Sequence, residues 1–107
     1  MQIVSNNPSL SRRASEALKK VIDPEIGLNI VDLGLIYQID FFEEEKKIVC
    51  TMTLTTQFCP MGESITDAAK FAIQDAFAGY EADIELTFEP AWNYDMISEE
   101  GRMFLNM

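Results

Sequence analysis

The strongest constraint on the fold is one helical stripe of apolar residues between segments whose apolar residues alternate. The stripe recurs at intervals of three and four residues, as on one face of an amphipathic helix. Its members are Ile65, Ala68, Ala69, Ala72, Ile73, Ala76 and Phe77. The small alanines predict a helix that packs closely on a sheet, and Gly79 predicts where it ends.

Three other segments alternate with a period of two, which predicts half-buried strands. Their predicted inward faces are Leu35, Tyr37, Ile39 and Phe41; then Ile48, Cys50, Met52 and Leu54; then Ala82, Ile84, Leu86 and Phe88. The predicted outward face of the second strand is Val49, Thr51, Thr53 and Thr55. The charged residues 43–47 predict a hairpin between the first two strands.

Two further helices are predicted at the two ends of this unit. Ser9 or Ser11 is expected to cap the first, which runs to about Ile22 and is stopped by Pro24. Ser98 is expected to begin the last, with acidic residues in its first turn. We therefore predict one α+β domain over residues 1–107, in the order α-β-β-α-β-α. Its three-stranded mixed sheet carries the helices on one face.

Residues 23–34 read DPEIGLNIVDLG, a segment that is rich in turn-forming residues and also apolar. This composition predicts a loop that packs onto the domain. A length of 107 residues is typical of one domain. No apolar run reaches the roughly 18 residues of a membrane span, and residues 1–13 do not resemble a signal peptide. With two cysteines, too few for a disulfide framework, we expect a cytoplasmic protein.

The formal net charge is −10, and the sequence contains no histidine. The missing histidine excludes histidine general bases, Cys-His dyads and histidine-containing zinc sites. The negative charge argues against nucleic-acid binding, which Lys and Arg drive by neutralising phosphates. Two interpretations of the acidic surface stay open, solubility alone and a preference for basic protein partners.

Cys59 is the main candidate for a functional atom. The segment from Thr55 to Gly62 leaves the second strand and enters the strongest helix, and Pro60 suits the first helical position. Cys59 is therefore predicted at the N-cap, beside free backbone N–H groups that stabilise an anion by about 0.3–2 kcal/mol. This setting favours the thiolate. The alternative is that Cys59 simply replaces a serine cap.

Cys50 serves as an internal comparison for this thiol. It lies on a predicted inward face between Ile48 and Met52, which predicts a buried, inert thiol. Cys50 and Cys59 are nine residues apart and form no CxxC pair. Neither a redox pair nor a metal clamp is therefore predicted.

Asp23, Glu25 and Asp32 form a second candidate group. If their loop folds over the mouth of the second strand, one or two of them approach Cys59 and raise its pKa. The alternative is that Asp23 and Asp32 accept hydrogen bonds from backbone N–H groups in turns.

Trp92, the only tryptophan, follows the third strand. A packing role and a contact with a partner are both open for its side chain.

Five short blocks, in this order and spacing, resemble the SufT/PaaD-like family of iron–sulfur cluster assembly proteins, formerly a domain of unknown function. The blocks are Asp23-Pro24-Glu25, Asp32-Leu33-Gly34, Thr55-Thr56 with Cys59-Pro60, Glu89-Pro90 with Trp92, and Ser98-Glu99-Glu100. The resemblance covers about Leu18 to Leu105. It implies an iron–sulfur assembly domain, similar in outline to a KH domain.

The resemblance also implies which residues act. It makes Cys59 the reactive thiol and a candidate iron–sulfur ligand, lined by Asp23, Glu25, Thr55 and Thr56. The sequence departs from the family where Gln57 and Ala91 stand in place of prolines. The cysteine-rich tail of the PaaD branch is absent from this sequence, which points to the SufT-like branch.

The function expected from this resemblance is cluster assembly or transfer to client proteins, without enzymatic turnover. A cluster is usually held by four thiolates. One chain offers one exposed thiolate, that of Cys59, and a possible homodimer offers two. Any bound cluster is therefore expected to be labile. It would be bridged between two chains or shared with a client protein. The alternative is that the protein binds no cofactor. Expected partners are assembly machinery and client apoproteins, with no nucleic acid and no membrane.

Two alternative functions stay open. One is a protein–protein adaptor that binds no cluster. The other is an enzyme with Cys59 as nucleophile, which would have to work without a histidine base or a glycine-rich cofactor motif. Nucleic-acid binding, suggested by the KH-like outline, is disfavoured by the charge and by the missing GxxG loop.

Overall fold

A computed structural model describes residues 3–55 and 62–106 of the chain. The elements in chain order are β1 (Val4–Ser5), α1 (Pro8–Leu18), β2 (Ile36–Phe42), β3 (Lys47–Met52), α2 (Gly62–Ala76), β4 (Glu81–Leu86), a 3₁₀ turn (Tyr94–Met96) and α3 (Glu99–Phe104). The predicted α+β class and mixed sheet are confirmed.

The sheet has four strands in the order β1-β2-β3-β4, so the prediction of three strands is wrong. The central pair β2–β3 is antiparallel, and each outer strand runs parallel to its neighbour. The added strand β1 precedes α1 and has two residues, Val4 and Ser5. Two residues are too few to display a period-two pattern. Asn6 secures this edge by exchanging two hydrogen bonds with the backbone of Phe41, at 2.9 and 3.0 Å.

Helix α1 differs from its prediction at both ends. Asn7 is its N-cap, because the Asn7 side chain accepts a hydrogen bond from Leu10 N at 3.2 Å; the prediction of Ser9 or Ser11 is wrong. The helix ends at Leu18 and does not reach Ile22. The backbone there turns to pair with the 23–34 loop, through a bridge between Ile22 and Asn29. These tertiary hydrogen bonds replace those that would have extended the helix.

A β-bulge interrupts the alternation of β2. Ile36 pairs with Met52 while Gln38 pairs with Thr51, so Tyr37 is one extra residue on this strand. Paired residues share a face of the sheet. The predicted inward residues of β2 are all buried, but Ile36, and not Tyr37, shares the face of Met52. The bulge aims the Tyr37 hydroxyl at the C-terminal segment, where it donates to Pro90 O at 2.8 Å.

The core lies between the sheet and the packed pair α1 and α2. Ile65, Ala69 and Ile73 of α2 are buried, as the stripe predicts, although Ala68 is exposed. Helix α2 is followed by Gly79 at a φ of 86°, which confirms its predicted end.

Strand β4 follows its predicted alternation only at its start. Ala82 is fully buried, whereas Leu86 is 45% exposed, so its predicted inward position is wrong. The start of β4 lies against α2, where Gln74 Oε1 accepts a hydrogen bond from Ala82 N at 3.0 Å, and Leu86 lies four residues further along the strand. Across residues 3–55 and 62–106, no helix has the length and apolarity needed to cross a bilayer.

Candidate functional site

The predicted site surrounds the connection between β3 and α2. Cys59 and Thr56 lie outside the described residues, so the predicted N-cap role of Cys59 stays a prediction. Both ends of the connection are described. Thr55, half-buried, follows β3, and Gly62 begins α2 close to the Leu54 side chain. A Cβ at Gly62 would lie 2.6 Å from Leu54 Cδ1, so this tight packing holds the two ends of the connection together.

Cys50 is buried and chemically inert, as predicted. It is 0% exposed on the core face of β3. Burial raises the pKa of this thiol from 9.0 to about 12, because the apolar core does not solvate a thiolate. At neutral pH, Cys50 is therefore neutral and shielded from solvent.

Asp23 and Glu25 lie in the same turn but in opposite environments. Asp23 is 1% exposed, and its Oδ1 accepts a hydrogen bond from Glu25 N at 2.9 Å. The Asp23 carbonyl accepts another from Gly27 N at 2.7 Å, where the φ of 83° suits glycine. Glu25 is exposed. The turn role that was one alternative for Asp23 is confirmed, and its effect is to fix the backbone that carries Glu25.

Asp32 bonds side chains, in contrast to the turn role considered for it. Its Oδ1 accepts from Ser98 Oγ at 2.8 Å, and its Oδ2 accepts from Asn29 Nδ2 at 2.7 Å. Asn29 in turn accepts from the backbone N–H of Asp32 at 2.8 Å. Asp32 is thereby the link between the 23–34 loop and α3.

Trp92 also anchors this loop, at the residue that follows Asp32. The Trp92 indole Nε1 donates to the carbonyl of Leu33 at 2.6 Å, and its ring packs edge-on against Tyr94 at 5.3 Å between centroids. Gly34 lies so close to Met96 that no side chain fits there. The packing role considered for Trp92 is thus confirmed, and the predicted packing of the loop onto the domain is confirmed as well.

A polar pair beside the bulge was missed by sequence reasoning. Thr53 was predicted to face outward, but it is 0% exposed, and its hydroxyl donates to the carbonyl of Leu54 at 3.4 Å. Burial raises the pKa of Tyr37, and the neighbouring polar side chain of Thr53 opposes this shift. Alternation could not reveal the pair, because the extra residue of the bulge leaves no mark in the pattern.

The described residues bring together only part of the predicted site. Within residues 3–55 and 62–106, the side-chain hydrogen bond of Asp23 goes to its own turn and none links Asp23 or Glu25 to Thr55. In the same ranges, no group of three Cys, Asp or Glu side chains is placed to hold a metal ion. The convergence of Asp23, Glu25, Thr55 and Thr56 on Cys59 stays a prediction.

Comparison with known proteins gives consistent matches. Residues 12–86 match the model of a family described as iron-sulfur cluster assembly protein. A Fe-S protein maturation auxiliary factor of Porphyromonas gingivalis is 41% identical over 82% of this chain and 83% of its own. The factor SufT of Staphylococcus aureus, which carries the same description, is 37% identical over 81% of this chain and 98% of its own.

Solved structures agree with the fold. A domain of unknown function from Bacillus anthracis superposes with a TM-score of 0.86, at 29% identity and 94% coverage of both chains. A conserved hypothetical protein of Thermotoga maritima gives a TM-score of 0.74 at 35% identity, covering 90% of this chain and 93% of its own. The similarity therefore includes the sheet as well as the helices.

Proposed function

Since this chain belongs to the iron-sulfur cluster assembly protein family, we propose that it is an auxiliary factor in the maturation of iron–sulfur proteins. In this proposal it assists the transfer of clusters to client apoproteins through the thiolate of Cys59. The names of its relatives in three bacteria, each a Fe-S protein maturation auxiliary factor, support the general role.

The observation that carries the choice of Cys59 is the state of the other thiol. The sequence contains two cysteines. Cys50 is sealed in the core with a pKa of about 12, so it can neither reach a client nor ionise at neutral pH. Thiol chemistry at the surface therefore depends on Cys59, and position 59 lies inside the residues that match the family.

The cluster is cargo in this proposal. A complete iron–sulfur site usually needs four thiolates, and one chain contributes one. The remaining ligands come from a client, a scaffold protein, a small thiol or a second copy of the chain. Shared ligation of this kind makes the cluster labile, which suits transfer.

The acidic turn has a positioning role in this proposal. Asp23 is the buried residue that holds the turn, and Glu25 is the exposed carboxylate that the turn presents. In this proposal the Glu25 carboxylate accepts the proton that Cys59 releases when its thiolate binds iron, and returns it when the iron leaves. The hydroxyls of Thr55 and Thr56 donate hydrogen bonds to the thiolate. Asp23 acts through Glu25.

The test compares variants of the two cysteines. Each variant is expressed in a deletion strain whose iron–sulfur enzymes depend on this protein for maturation. Cys59→Ser should leave an iron–sulfur enzyme immature, as measured by its activity in extracts, with the protein present at normal level. Serine also caps helices well, so the free energy of unfolding should change by less than about 1 kcal/mol. Cys50→Ala is the matched control. If this variant is present at normal level, it should support maturation of the enzyme as the wild type does.

A second measurement addresses the cargo directly. Anaerobic reconstitution with iron and sulfide, followed by visible absorbance, should show a labile chromophore with the wild type and not with Cys59→Ser. Normal enzyme maturation by Cys59→Ser would refute the thiol mechanism and favour an adaptor that binds clients without a cluster.

A further inference from the structure

Helices α1 and α2 leave an apolar groove of about 570 Å³ between them. Its floor includes Val21, Ala72 and Ala76, and two large apolar side chains stand at its edges. Phe71 is 71% exposed and Ile22 is 49% exposed. Single exposed apolar residues are common, but here Phe71 of α2 and Ile22, in the segment after α1, line one apolar groove, as in interaction sites.

The carboxylates that line this groove favour a partner with basic side chains. Asp67, Phe71 and Asp75 follow at intervals of four residues, so a carboxylate flanks the Phe71 ring one helical turn away on each side. Both aspartates are exposed and line the groove. On the α1 side the groove is lined by one cation, Lys20.

The other cations close to α2 in the described part of the chain, Arg13 and Lys70, do not line the groove. The Arg13 guanidinium stacks on the Phe77 ring at 4.6 Å and donates to the carbonyl of Ala76. Lys70 is exposed on α2 but does not line the groove. The lining of the groove therefore carries two carboxylates and one cation, on a chain of net charge −10.

We propose that this groove binds an amphipathic helix of a partner protein, with an apolar stripe on the groove and Lys or Arg side chains beside Asp67 and Asp75. The lining residues of α2 extend from Asp67 to Ala76, roughly 14 Å along the axis. This length matches about two and a half turns of a partner helix, or anchors at positions i, i+3 or i+4, and i+7. A second copy of the chain is disfavoured, because two acidic rims would face each other.

None of the residues that line the groove belongs to the proposed thiol site. Phe71 follows Gly62 by nine residues, about 14 Å along α2. The inference therefore does not depend on the chemistry of Cys59, and the two can fail independently. Peptide binding reports on the groove, and enzyme maturation by Cys59 variants reports on the thiol. Failure of one proposal can therefore be told from failure of the other.

The probe is a designed 18-residue helical peptide with a Leu stripe flanked by Lys, labelled with fluorescein and titrated with the full chain. A peptide of the same composition with the stripe scrambled reports binding by charge alone. We expect Phe71→Ser to raise the Kd at least about tenfold, since it removes an aromatic anchor that the bound peptide would bury. The double variant Asp67→Asn, Asp75→Asn should raise it about threefold to tenfold and flatten its salt dependence.

The hairpin supplies matched controls, because Phe42 is also an exposed aromatic, at 43%, and is followed by the exposed acids Glu43 and Glu44. Phe42→Ser, and Glu43→Gln with Glu44→Gln, should leave the Kd within about twofold. Equal weakening by these controls, or equal binding of the scrambled peptide, would overturn the proposal. Concentration-dependent dimers that Phe71→Ser dissociates in analytical ultracentrifugation would also overturn it, in favour of a second copy.

Discussion

Ser98 and Asp32, 66 residues apart in the chain, are joined by two hydrogen bonds. Ser98 Oγ donates to Asp32 Oδ1 at 2.8 Å, and Ser98 N donates to the Asp32 carbonyl at 2.7 Å. The same Oγ accepts from Gly101 N at 3.0 Å and so caps α3. One hydroxyl thereby begins the last helix and fixes the acidic loop to it.

Ser98→Ala should lower the free energy of unfolding by about 1–3 kcal/mol, since it removes a helix cap and leaves a carboxylate oxygen without its donor. Urea melts followed by circular dichroism measure the loss. Ser9→Ala, at an exposed serine in α1, is the control and should change stability by less than about 0.5 kcal/mol. Equal losses for the two variants would mean that the Ser98–Asp32 contact contributes little.

Gly34→Ala and Gly79→Ala separate backbone strain from a steric clash. Both glycines have positive φ, 82° and 86°, so alanine costs about 1–2 kcal/mol of strain at either site. At Gly34 the new Cβ would lie 2.2 Å from Met96 O, whereas at Gly79 nothing lies within 4 Å. Gly34→Ala should therefore lose about 1–3 kcal/mol more than Gly79→Ala in urea melts. Similar losses would contradict the close approach of the loop to the C-terminal segment.

Ile73→Ala and Phe71→Ala compare the two faces of α2. Ile73 is 0% exposed, so its truncation should cost about 2–5 kcal/mol and threaten folding. Phe71 is 71% exposed, and its truncation should cost less than about 1 kcal/mol. Thermal and urea unfolding of both variants measure these values. A loss below roughly 1 kcal/mol for Ile73→Ala would mean that the buried face of the helix is misassigned.

Iodoacetamide should alkylate Cys59 much faster than Cys50 in the folded protein at pH 8. The thiolate is the reactive form, and burial keeps Cys50 neutral, with a pKa of about 12, and out of reach. Peptide mass mapping over time measures both rates. In urea the two rates should become similar, which is the control for intrinsic reactivity. Equal labelling without urea would refute the assignment of Cys59 as the reactive thiol.

Alkaline pH should destabilise the wild type more steeply than Cys50→Ala. Between pH 9.0 and about 12 the folded protein keeps a proton on Cys50 that the unfolded chain has lost. The free energy of unfolding therefore falls as pH rises through this range, by up to about 1.4 kcal/mol per pH unit for one proton. Urea melts at pH 8, 9.5 and 10.5 give the two slopes. Parallel slopes would show that Cys50 contributes nothing to the dependence.

The sequence by itself determined the elements in which the spacing of apolar residues along the chain matches the buried face in the structure. The stripe of α2, the alternation of β3, the Ser98 cap and the buried state of Cys50 all follow from local spacing. Each of these signals is carried by neighbours along one element, so no distant contact is needed to read it. The five blocks of the family resemblance are local in the same way.

Tertiary structure alone decided the features that depend on partners distant in the chain. The strand β1 exists because Val4 and Ser5 pair with β2, and the end of α1 is set by hydrogen bonds to the 23–34 loop. The bulge at Tyr37 aims its hydroxyl at Pro90, and Thr53 is buried although the alternation predicts an outward position. Local periodicity is silent about all three, because the energy that selects them comes from hydrogen bonds and packing that form only once distant segments meet.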